Sequence, residues 1–77
     1  MANKYNLSDK HMEIILSLGK HSMRMTEVAR ELDMHRNTVV YHVERIQEIT
    51  GKDPLNFYDL LELVMFVKAE KGGDDGK

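Results

Sequence analysis

Cysteine is absent from the 77-residue chain, so disulfide staples, thiolate metal sites and cysteine nucleophiles are all excluded. Tryptophan is absent too, and Pro54 is the sole proline. No apolar run approaches the roughly 18 residues a membrane span requires, and Met1 to Leu7 holds no hydrophobic leader core. A cytoplasmic protein with no membrane partner is expected. Charge of one sign is also scarce: 11 Lys and Arg against 13 Asp and Glu leave a net charge of -2, which by itself weighs against a nucleic-acid binder. The distribution is uneven, however. Residues 20 to 45 are slightly cationic and add His21, His35 and His42, whereas residues 46 to 77 are acidic.

What is present is helical periodicity, and the chain is long enough for one domain at most. Leu7 and Ser8 open a first helix, with Ser8 as N-cap and Leu7 facing Met12 in a hydrophobic staple. That helix is expected over 9 to 18, stopping at Gly19. Met25, Val28, Ala29 and Leu32 recur at i, i+3, i+4 and i+7, predicting a second helix over 25 to 32. Val39, Val43, Ile46 and Ile49 form the stripe of a third, over 36 to 50, which Thr50-Gly51 ends. Asp53-Pro54 breaks the chain. Asn56 then caps a fourth helix over 57 to 70, with Leu55 facing Leu60 in a second staple. The expectation is an all-α, four-helix domain spanning residues 1 to 71, with a disordered Gly-Gly-Asp-Asp-Gly-Lys tail at 72 to 77.

A helix, a three-residue turn and a longer helix form the layout of a DNA-binding helix-turn-helix. Ala29 supplies the small residue at the helix crossing. Asp33 supplies a residue tolerant of positive φ, and Met34 an apolar plug. The segments Thr26 to Leu32, His35-Arg36-Asn37-Thr38-Val39 and Tyr41 to Ile46, with Thr50-Gly51 and the leucine-rich helix after it, resemble the C-terminal helix-turn-helix domain of the PucR and CdaR regulators, which govern purine catabolism and sugar diacids. The resemblance covers about residues 8 to 68 and implies sequence-specific binding of double-stranded DNA by a transcriptional regulator. In that family the domain ends a longer protein. Departures lie at Val40, His42 and Glu44, where basic residues are common, and at Arg24, where a capping Ser or Thr is usual.

Geometry then assigns the candidate DNA-binding residues. Arg36 and Asn37, in the first turn of the third helix, reach base edges, Arg to guanine O6/N7 and Asn to adenine N6/N7. Val40 sits one turn on, opposite a thymine methyl, while Tyr41 and Arg45 face phosphates. His35, Thr38 and His42 complete the set, with backbone capping as the structural alternative for His35.

Enzymatic chemistry finds no support: there is no phosphate-binding glycine loop, no Ser paired with a base and no recognisable carboxylate pair, and so small a core leaves little room for a pocket. No cofactor is implied. A metal is not expected either, since Met25 of the His21-Ser22-Met23-Arg24-Met25 run is needed in the core, and His35 and His42 lie about 10 Å apart along one helix. The fourth helix is apolar nearly all round, at Leu60, Leu61, Leu63, Val64, Met65, Phe66 and Val67. A homodimer through Leu63, Phe66 and Val67 is therefore expected. The competing reading is a protein-interaction module on a helix-turn-helix scaffold without DNA binding.

Overall fold

The structure, a computed structural model, describes residues 5–71; the tail expected at 72 to 77 lies outside them. The four helices are α1 (Asp9–Lys20), α2 (Met25–Leu32), α3 (Arg36–Thr50) and α4 (Phe57–Glu70). Among the described residues there is no strand, so the all-α expectation holds. α1 is the hub: α2 and α3 pack on it and on each other, while α4 packs on α1 alone.

Ser8 begins α1 as expected, its Oγ accepting from the His11 amide at 3.1 Å. His11 answers through Nδ1, which accepts the Ser8 amide at 3.4 Å, so an imidazole occupies the place Glu usually takes in a capping box. Leu7 and Met12, the expected staple pair, are both buried in the core. The expected end at Gly19 is corrected, because the helix runs on to Lys20. Ser22 and Met23 take the left-handed conformation instead, and the Met23 amide donates to the Leu18 carbonyl at 2.7 Å. Gly19 answers a different need, close approach to α4 at Val64.

At the other corner Asn56 Oδ1 accepts from the Asp59 amide at 3.1 Å, as the cap requires. The second staple is corrected: Leu55 stays 42% exposed, and Pro54 is the residue buried there. Asp59 reaches back to the Asp53 amide at 3.0 Å, and Lys52 to Glu62 at 2.6 Å, so the connection is held against α4.

The core consists of Leu7, Ile14, Ile15 and Leu18 with Val28, Ala29, Val39, Val43, Ile46, Leu60, Leu63 and Val67 among others. Leu63 and Val67 are fully enclosed within the subunit, and Phe66 is half-buried with its ring edge-to-face on Tyr5 at 4.9 Å. Of the three residues expected at a dimer face, Leu63 and Val67 are thereby corrected to core positions. Packing on α1 spends that side of α4, and its exposed large apolar residues are Phe57, Tyr58, Leu61 and Met65. The expected lack of room for a pocket is corrected as well, by a groove of about 800 Å³ that runs between the outer faces of α1 and α4 rather than inside the core.

Candidate nucleic-acid interface

The turn between α2 and α3 depends on Asp33. It adopts φ 57 and ψ 50, the left-handed region, which costs most L-residues about 1 to 2 kcal/mol and which Asp tolerates better than most. With Asp33 in that conformation, the Met34 amide donates to the Ala29 carbonyl at 2.8 Å and the Asp33 amide to the Arg30 carbonyl at 3.3 Å. This pair is a Schellman motif, ending α2 with the Ala29 and Arg30 carbonyls satisfied. Ala29 is buried at the crossing, and Val28, Val39 and Val43 are enclosed beside it. These contacts fix α3 relative to α2.

A second tie fixes α2 relative to α1. Glu31 accepts from Ser17 Oγ at 2.7 Å, from Lys20 Nζ at 2.7 Å and pairs with His21 Nε2 at 2.8 Å. The hydrogen bonds from Lys20, Ser17 and His21 together hold the Glu31 carboxyl down to about 2. Sequence reasoning missed this cluster because its members lie 10 to 14 residues from Glu31.

α3 begins at His35, whose Nδ1 accepts the Asn37 amide at 3.0 Å, so the capping role is the one its side chain fills. Beyond the cap, Arg36, Asn37, Thr38, Tyr41 and Arg45 are all exposed, and Val40 is half-buried at the edge of that row. Arg36 makes no ion pair among the described residues, and the first turn of α3 carries no acidic residue. Arg45 is held by Glu48 at 2.7 Å.

His42 lies elsewhere. It is half-buried, its ring is 5.7 Å from that of His11 on α1, and its Nδ1 is buried with no hydrogen-bond partner. The ring therefore belongs to the packing between α1 and α3 rather than to the outer row. Burial first, then the nearby His42 and Arg45, push His11 below the ordinary histidine value. No group of three or more His, Asp or Glu among the described residues has metal-binding geometry, and none of their helices is long and apolar enough to cross a membrane.

Comparison with known proteins fits this geometry. Residues 12–69 match the family described as the PucR C-terminal helix-turn-helix domain. A carbohydrate diacid regulator of Escherichia coli (strain K12) is 35% identical over 52 residues, 68% of this chain but 14% of that protein, so the chain spans about one seventh of the relative. No solved structure matches. With most of the four-helix domain inside the matched segment, and with the left-handed turn and buried crossing that the motif needs, the chain belongs to the PucR C-terminal helix-turn-helix domain family.

Proposed function

We propose that the chain is the sequence-specific DNA-reading domain of a transcriptional regulator, acting in the cytoplasm, with α3 seated in the major groove. One observation carries the reading: the N-terminal face of α3 is open, free of carboxylates in its first turn, and presents the unpaired Arg36 beside Asn37 on a helix that the Asp33 turn and the buried Val39 and Val43 hold rigidly. Arg36 matches the paired acceptors of guanine, and Asn37 those of adenine. Thr38, Tyr41 and Arg45 face the flanking phosphates, and Val40 is at the height of a thymine methyl. His35 contributes by capping: its Nδ1 takes the Asn37 amide, which fixes the first turn and leaves the reading to the side chains. The arrangement is a binding surface, and its family is one of regulator domains rather than enzymes.

The test is a titration with random duplex DNA at two salt concentrations. Neutralised phosphates release counterions, so affinity must fall steeply with salt. Affinity without salt dependence, or none at all, would refute the proposal and leave a scaffold that does not touch DNA.

A further inference from the structure

The groove between α1 and α4 is unused by the DNA-reading face. Its floor is apolar, built from Leu16, Met23, Leu61 and Val64, with Phe57 at one end. Lining residues run from Phe57 to Lys71, the whole length of α4, which at 1.5 Å per residue is about 21 Å. That shape is a trough along a helix, suited to another helix more than to a compact small molecule.

Its charge is one-sided. Lys20, Lys68 and Lys71 line it, and no carboxylate does. Lys20 is engaged by Glu31, whereas Lys68 and Lys71 make no ion pair among the described residues. This argues against a second copy as the occupant, since two such faces would bring lysine rims together. Of the acidic groups on α4, Asp59 and Glu62 are already bonded to the Asp53 amide and to Lys52, and the exposed Glu70 does not line the groove. α4 also does not pack on α3, so an occupant of the trough leaves Arg36 and Asn37 free.

We propose that this groove docks an acidic amphipathic helix of a different polypeptide segment, its apolar side chains at i, i+3 or i+4, and i+7 on Leu61 and Val64, and its carboxylates over Lys68 and Lys71. The regulator thereby carries a protein-recruiting face on the helix that DNA reading leaves idle. The proposal is independent of the DNA-reading role, because it uses none of the same residues.

The test uses the full chain, isotopically labelled, and two synthetic helical peptides of about four turns that share one leucine stripe, one flanked by Glu and its twin by Lys. The Glu peptide is expected to shift the amide resonances of Gly19, Val64 and Lys68 while leaving Asn37 and Tyr41 in place, and the Lys peptide to bind at least tenfold more weakly. The double variant Lys68→Glu, Lys71→Glu, both exposed positions, should reverse the preference and keep duplex DNA affinity within twofold. Equal binding of the two peptides, no shift with either, or shifts away from the groove would overturn the proposal. So would sedimentation showing a dimer that Leu61→Glu splits, which assigns the face to a second copy. Loss of DNA affinity in the double variant would overturn it too, by assigning the lysines to phosphates.

Discussion

A Cβ placed on Gly19 would lie 3.1 Å from Val64 Cγ2, so the glycine inside α1 sits under a β-branched side chain of α4. Alanine is preferred over glycine within a helix by up to about 1 kcal/mol, yet the added methyl must displace a valine whose χ1 is stiff. Gly19→Ala is therefore expected to gain nothing in the parent. In a Val64→Ala background the same change should stabilise by about 1 kcal/mol. Urea midpoints of the four proteins give the coupling energy, and additivity within about 0.5 kcal/mol would show that the two residues do not collide.

Arg24 stands at the N-cap of α2 in extended conformation and makes no side-chain cap bond. Arg24→Ser puts an acceptor over the free amides, three residues before Glu27, which is capping-box spacing. A gain of about 1 kcal/mol is expected, read as a higher urea midpoint at unchanged slope. An unmoved midpoint would mean that water already serves those amides equally well.

Glu31 sets the behaviour in acid. Its carboxyl is held down to about 2 in the folded protein by Lys20, Ser17 and His21, against an ordinary 4.5. A depressed carboxylate contributes stability above its unfolded value that is lost as pH falls through the folded one. The melting temperature should thus decline between about pH 4.5 and pH 2, and Glu31→Gln should lower it at pH 6 while flattening that decline. The group is open to solvent, so the effect should also shrink in high salt. Equal acid limbs in parent and variant would remove Glu31 from the account.

Arg36 and Arg45 separate base reading from phosphate contact. Arg36→Ala should lose about 1 to 3 kcal/mol on a cognate site and relax base preference, whereas Arg45→Ala should weaken all sequences alike and flatten the salt dependence. The Glu48 partner of Arg45 makes the second loss the smaller. Val40→Arg should raise nonspecific affinity. Identical responses of the two arginine variants, or no response at position 40, would contradict the seating of α3.

Local chemistry made much of the fold legible. α2 and α3 fall where apolar periodicity and the signals at His35 and Gly51 place them, and α4 starts where the Asn56 cap places it, because those signals act within one helical turn. Asp33 was readable for the same reason: few residues bear the left-handed conformation a three-residue turn demands. The exposure of Arg36 and Asn37 followed from the buried phase of Val39 and Val43. The sequence by itself thus determined the class, the turn and the outward face of α3.

Only the tertiary structure decided the rest. α4 is apolar nearly all round, so its sequence carries no phase. Packing on α1 selected Leu63 and Val67 for the core and left Phe57, Leu61 and Met65 outside. Gly19 looked like a helix end, although its partner Val64 lies 45 residues away, and the left-handed turn fell to Ser22 and Met23. His42 turned inward for a similar reason: it meets His11, 31 residues earlier, across a helix pair. Contacts between residues that distant depend on how whole helices settle against one another, which no pattern within a single helix encodes.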